Sequence, residues 1–323
     1  MATLGVSFAD VSLTGSINQA VSVVAVGGST KTTLGSSAYA SGDSLLTFAG
    51  SEDLGDGVKA SFKFEPKVNI NGSDSKDPGL FSSNREAWVG LNGSFGTVHV
   101  GNNYTPMFIQ SGSGYDPNGY TNMGSYFVSG LMSFNATNSV DYTAPKLIDG
   151  LGIQLNKGFA NNTDGSTNGD SYGWGLSYSA SGFTAGIGGE KTNKNKIGNG
   201  LESDLSNGSL KDVDKLSLAA AYDFGSAKVS IHRIESKSGS VTNTAMGYGV
   251  GIPLGAFTLN GNYSTLETKG AVSTIENGNG NFQAFQVGGN YSLSKRTSVY
   301  LLTGQVKAKV TTNMTSLGVV HNF

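Results

Sequence analysis

The side chains best placed to do chemistry are charges at every second position of one short segment. In Gly57-Val-Lys-Ala-Ser-Phe-Lys-Phe-Glu65, Lys59, Ser61, Lys63 and Glu65 share one face, and Val58, Ala60, Phe62 and Phe64 share the other. A period of two is the signature of a β-strand with one wet and one apolar side. Fixed charges along the wet side can steer or hold ions and polar solutes, but they make and break no bonds. Other reactive groupings are missing from the sequence. Strand geometry brings together no Ser-His-Asp set and no pair of carboxylates suited to acid–base work. His99, His232 and His321 are isolated, and there is no cysteine, so neither a disulfide nor a thiolate metal site can form. Gly27-Gly-Ser-Thr-Lys-Thr lacks the glycine that a phosphate loop places before its lysine. Asp164-Gly-Ser-Thr-Asn-Gly-Asp170 lacks the acid at the twelfth position of a calcium loop. The expectation is therefore no catalysis and no cofactor.

The elements that must position these charges follow from composition. The chain has 323 residues, 48 of them glycine, and only 14% are charged, against about 25% in soluble domains. No window approaches the ~18 apolar residues of a membrane-spanning helix. A net charge of −2 argues against a nucleic-acid partner, which calls for a basic patch. A lysine turned to hydrocarbon near the bilayer midplane would cost ~2–4 kcal/mol, so the Phe62/Phe64 face points outward and the Lys59/Lys63 face lines a wet interior. Segments of ~9–11 residues, the length of a tilted membrane strand, alternate with long polar loops and very short turns. The loops are expected at 27–43, 66–84, 102–139, 161–170, 193–212, 237–243 and 268–281. Counting gives roughly 16 strands, enough to leave an aqueous bore. Closure is required, because each unpaired backbone group in lipid costs several kcal/mol. The strand beginning at Val11 must therefore meet the last, Thr312–Phe323. Phe95, Tyr178, Phe183, Tyr222, Phe224, Phe257, Tyr291 and Phe323 sit at strand ends, as interfacial aromatic girdles do.

The stretch 102–139 breaks the rhythm. It has neither alternation nor helical period, and loops beyond ~12–15 residues are usually functional. We expect it to fold into the barrel mouth and narrow it. It carries one acid, Asp116, and the hydrogen-bonding bulk of Tyr104, Tyr115, Tyr120 and Tyr126. The narrowest point should then set the basic wall residues Lys59 and Lys63, with Glu65 nearer the rim, against a weakly acidic, tyrosine-rich loop. Arg85 is ambiguous: by parity it joins Ala87, Val89 and Leu91 on the lipid side, yet it stands at the strand's mouth.

Gly50-Ser-Glu-Asp-Leu-Gly-Asp-Gly-Val-Lys-Ala-Ser-Phe-Lys-Phe-Glu65 resembles the general porins of β-proteobacteria, the neisserial and Burkholderia type. So do Asn84-Arg-Glu-Ala-Trp-Val-Gly-Leu-Asn-Gly-Ser-Phe-Gly-Thr-Val-His-Val-Gly-Asn-Asn-Tyr-Thr-Pro106, Asn138-Ser-Val-Asp-Tyr142 and Leu317-Gly-Val-Val-His-Asn-Phe323. The resemblance implies an all-β, 16-stranded antiparallel transmembrane barrel with long extracellular loops, short periplasmic turns and its third loop, 102–139, bent into the lumen. It implies a homotrimer in the bacterial outer membrane, among lipid and lipopolysaccharide. Phe323 would be the signal read by the barrel-assembly machinery. Residues 1–8 would be a leader remnant, with one domain over 9–323 and a mature start near Ala9 or Asp10. Family members often place arginine where this chain has Leu45, Ala49, Val320 and Asn135–Asn138, and only Arg85, Arg233 and Arg296 are present. A strongly anion-selecting arginine cluster is thus not carried over. The function expected is passive diffusion of small hydrophilic solutes and ions with weak charge selectivity. The alternatives are a substrate-preferring channel or a surface β-solenoid adhesin, and the unequal segment spacing disfavours the second.

Overall fold

The computed structural model describes residues 10–35, 42–70, 80–119, 122–161, 166–167, 169–195, 211–270 and 281–323. The expected leader remnant, 1–8, lies outside them. The first half of the wall comprises β1 (Asp10–Val26), β2 (Ser29–Gly35), β3 (Leu45–Gly55), β4 (Val58–Val68), β5 (Phe81–Gly93), β6 (Gly96–Tyr104), β7 (Asn135–Thr143) and β8 (Leu151–Gly158). The second half comprises β9 (Ser171–Ala180), β10 (Phe183–Asn195), β11 (Lys211–Asp223), β12 (Lys228–Ser238), β13 (Val241–Leu254), β14 (Phe257–Lys269), β15 (Phe282–Ser292), β16 (Thr297–Lys307) and β17 (Thr311–Asn322).

Every pairing is antiparallel, and the sheet closes on itself where β17 meets β1, from Ser16 opposite Asn322 to Val26 opposite Thr312. Gly15 and Phe323 exchange backbone hydrogen bonds of 3.0 Å at the rim. Among the described residues there are 17 strands at 16 wall positions. Strands β2 and β3 both pair with β1, β2 against Ala20–Val26 and β3 against Asp10–Ser16, one above the other. Together they fill one wall position beside β1. The expected polar loop 27–43 is corrected accordingly. The chain turns at Gly27 and Gly28, both with positive φ, and Ser29–Gly35 is already strand.

Two other expected loops also shrink. The loop at 237–243 reduces to a turn at Gly239–Ser240 between β12 and β13, and 102–139 reduces to 105–134. The reason is physical: above the hydrocarbon both faces of a strand are wet, so hydrogen-bonded pairing continues where apolar–polar alternation stops. Within the apolar belt the alternation is clean. On β13, Met246, Tyr248, Val250 and Ile252 face out while Ala245, Gly247, Gly249 and Gly251 face in. All eight aromatics singled out in the sequence lie at the short-turn end, Phe224 and Tyr291 well exposed. They form one girdle rather than two. The apolar core is not between the strands and lipid but inside the barrel, under the segment 105–134.

Candidate functional site

Thr105 begins the inner segment by accepting the Phe108 N–H on its hydroxyl (3.1 Å), and Pro106 fits the first turn because its missing N–H has no partner there anyway. The short helix α1 (Pro106–Ser111) and a 3₁₀ turn at Tyr126–Ser129 follow. What lets them lie inside is a floor of glycines on the inner face. A Cβ on Gly186 or Gly188 would run into Gln110, Tyr115 or Met107 of the segment. One on Gly173 or Gly175 would meet Pro106 or Gln110, one on Gly247 would meet Tyr126, and one on Gly249 or Gly251 would meet Pro117. Apolar residues then bury together where the wall offers them: Met107, Phe108, Tyr126, Phe127, Leu131 and Met132 from the segment, Ile234, Ala245 and Leu266 from β12–β14. Each such side chain contributes about 1.5–3 kcal/mol. Polar ties reinforce the seat. Gln110 bonds Gln154 (3.2 Å), Met123 N–H donates to Gln286 (2.9 Å), and Ser264 donates to the Ser125 carbonyl (3.1 Å). Ser133 donates to Glu190 (2.7 Å) and accepts from Lys215 (2.9 Å).

The segment thus packs along the inner wall from β8 round through β17 to Ala20 of β1, and the inner face of β4 and β5 carries charges instead. Two carboxylates, Glu65 and Glu86, face each other directly across β4 and β5, a repulsive arrangement unless a cation intervenes. Lys63 supplies it, with Nζ 2.5 Å from Glu86 Oε2 and 3.1 Å from Glu65 Oε2. Glu65 also accepts the Thr47 hydroxyl (2.8 Å), and Arg85 Nε lies 3.8 Å from its other oxygen. Glu86 accepts the Trp88 indole N–H (3.0 Å). The Trp88 ring stacks on His99 at 3.6 Å and 11°. Further round, Asp141 takes both oxygens to the Gln154 amide (2.9 and 3.0 Å).

The sequence-predicted residues separate into three places. Lys63, Glu65 and Arg85 come together on the inner wall of β4 and β5, and Tyr104 joins them through its hydroxyl, 2.6 Å from Arg85 Nε. Parity fails for Arg85 because Pro66 cannot donate to the ladder: Glu65 pairs with Glu86 and Pro66 with Asn84, leaving Arg85 as a bulge that re-aims its side chain. Lys59 is not with them. It lies exposed at the short-turn end of β4, opposite Asn92.

The loop side of the expected arrangement is corrected too. Asp116 is buried against β13 and β14, accepting from Asn118 N–H (2.9 Å) and Asn262 Nδ2 (2.8 Å). Burial pushes its carboxyl above the usual range. Tyr115 and Tyr126 are also buried, packed edge-on and face-on to His232 at 5.7 and 4.2 Å. Burial raises the Tyr115 phenol to about 12 and that of Tyr126 well above its ordinary value. These three hold the segment down rather than face the bore, because a segment this apolar gains more by burying its rings than by exposing them. Tyr120 lies outside the described residues. Glu86, Trp88 and Asp141 are not singled out by the sequence, and His99 stands there only as an isolated histidine, although Glu86, Trp88, Gly90 and Asn92 share the wet parity of β5.

A family model described as Gram-negative porin matches residues 1–311. The major outer membrane protein P.IB of Neisseria lactamica is 27% identical over 300 residues, covering 87% of this chain and 83% of that protein. P.IB of Neisseria gonorrhoeae is 25% identical over 346 aligned positions, covering 98% and 95%. The solved structure of an anion-selective porin from Comamonas acidovorans superposes with a TM-score of 0.81 at 22% identity, covering 98% of this chain and 100% of that one. That likeness concerns the fold.

Proposed function

We infer what the inner wall does from one premise: the chain belongs to the Gram-negative porin family. The protein is accordingly a passive diffusion channel of the outer membrane, passing small hydrophilic solutes and ions. The finer reading is ours. The segment 105–134 narrows the bore from one side. Lys63, Glu65, Glu86 and Arg85, with Tyr104, form the opposing edge of the narrowest point. The observation that carries this is the pairing of those charges: Lys63 is shared between two carboxylates and Arg85 approaches one of them. Matched charges leave a small net field, so selectivity is weak. Lys59 and Asp116 fall outside this edge. Asp116 acts as an anchor.

We read the channel as a homotrimer without enzymatic activity, with Phe323 as the assembly signal and lipopolysaccharide and the barrel-assembly machinery as partners in the membrane. In planar bilayers the purified protein should open in steps, three per inserted unit. Protein that inserts and never conducts would overturn the channel reading. Single steps of one size would overturn only the trimer.

A further inference from the structure

Where the segment meets β13 and β14, acceptor oxygens gather around the Asn118 amide, two residues along from a buried carboxylate. Asp116 is 7% exposed, and among the described residues no lysine or arginine pairs with it. Lys228 reaches the same segment but donates to the Gly114 carbonyl (3.1 Å). The carboxylate is held by neutral donors instead: the Asn118 N–H, Asn262 Nδ2, at 3.4 Å Asn122 Nδ2, and the Ser125 hydroxyl.

The Asn118 amide is the second observation. Its NH₂ group lies beside three acceptors, the Val250 carbonyl (3.2 Å), the Gly261 carbonyl (3.0 Å) and Asn262 Oδ1. Two hydrogens serve three acceptors only by sharing one of them. Its own oxygen is buried without a partner, as are Asn122 Oδ1 and Asn260 Oδ1. Asn122 is 3% exposed. Asn260 faces Gly251 across the ladder, and Asn118 Oδ1 lies 3.8 Å from where a Gly251 Cβ would stand, a position otherwise met by Pro117 at 3.0 Å.

An amide turned by half a rotation exchanges N for O with no other change. Turned, Asn118 places its oxygen ~3 Å from two carbonyls and beside a second amide oxygen, the mutual spacing of oxygens that share one hard cation. Calcium takes 6–8 such ligands, from carboxylate, amide, carbonyl and water.

We propose that Asn118, Asn262 and the carbonyls of Val250 and Gly261, with Asp116 supplying the charge one amide away, form a weak calcium site that pins the inner segment to β13–β14. Asn118 is partly exposed and gives access from the bore. With one carboxylate the site belongs to the millimolar class.

The test uses lipopolysaccharide-free full-length protein in detergent with terbium as probe. Tyr115, the neighbour of Asp116 in the chain, serves as the donor that sensitises the terbium emission. We expect one saturable site per chain, emptied by calcium and not by magnesium. Asp116→Asn should weaken terbium binding at least tenfold, while Glu267→Gln on the outer face leaves it unchanged. Asn118→Asp, which adds a ligand charge, should tighten binding. If Asp116→Asn does not fold, that second variant decides. Emission insensitive to both changes at Asp116 and Asn118, or magnesium competing equally, would overturn the site. Bilayer conductance is read separately, so the porin assignment does not depend on this result.

Discussion

At the scale of single residues, Lys63 decides how the wall behaves. It is the cation between two facing carboxylates, and its loss leaves Glu65 and Glu86 opposed. The cost to stability falls between the ~0–1 kcal/mol of an exposed pair and the ~3–5 kcal/mol of a buried one, because these side chains are 11–23% exposed. The effect on permeation is larger. Lys63→Met should raise the potassium-to-chloride permeability ratio severalfold, read as a reversal potential across a salt gradient. The same change at Lys59 should leave that ratio nearly unmoved. Asp116 gives a pH prediction. Its folded carboxyl holds a proton to higher pH than the unfolded chain does. Its contribution to stability is therefore complete below the ordinary carboxylate range and is lost as pH rises through the raised value. Melting of the protein in chelator should show that decline, and Asp116→Asn should flatten it. Much of this was readable: the wet parity of β4 placed Lys63 and Glu65 together. What hid Arg85 was the bulge at Pro66, and Pro66 itself was the available signal.

At the scale of elements, the inner segment and its glycine floor are one device. The floor glycines recur at every second residue, Gly173 and Gly175, Gly186 and Gly188, then Gly247, Gly249 and Gly251. They need no special backbone conformation; they need only the absence of Cβ. Gly188→Val would drive two methyls into Met107 and Ser111, and helix α1 would have to lift. Single-channel conductance should increase, with the barrel still folded by its ladder. Unchanged conductance would mean that the segment does not limit the bore. The sequence announced the segment by its lack of period but not its landing place. The clue was there in two forms, paired glycines on the wet parity and an apolar Ile234 between Ser230, His232 and Ser236. Loop boundaries are less legible for a different reason: a strand wet on both faces carries no apolar–polar alternation.

At the scale of the whole molecule, the closing seam carries the argument. Lipid tolerates no open sheet edge, at several kcal/mol per unpaired backbone group, so β1 and β17 must find each other across nearly the full length of the chain. Such long-range pairing is slow to form, which makes assembly the vulnerable step rather than the finished barrel. Phe323 stands at that seam. Its backbone closes two bonds with Gly15, its ring lies over Gly15, whose missing Cβ makes the contact possible, and it remains 44% exposed. Deleting it removes two hydrogen bonds at the rim and none of the register from Ser16–Asn322 to Val26–Thr312. If Phe323 serves assembly, the deletion should cut the yield of outer-membrane protein severalfold in cells. Refolding from denaturant into detergent and the conductance of the refolded channel should then stay near those of the intact chain. If instead its role is to hold the seam, refolded protein should melt at a distinctly lower temperature, and both preparations should suffer alike. Comparing the two preparations of one variant therefore separates a recognition role from a mechanical one.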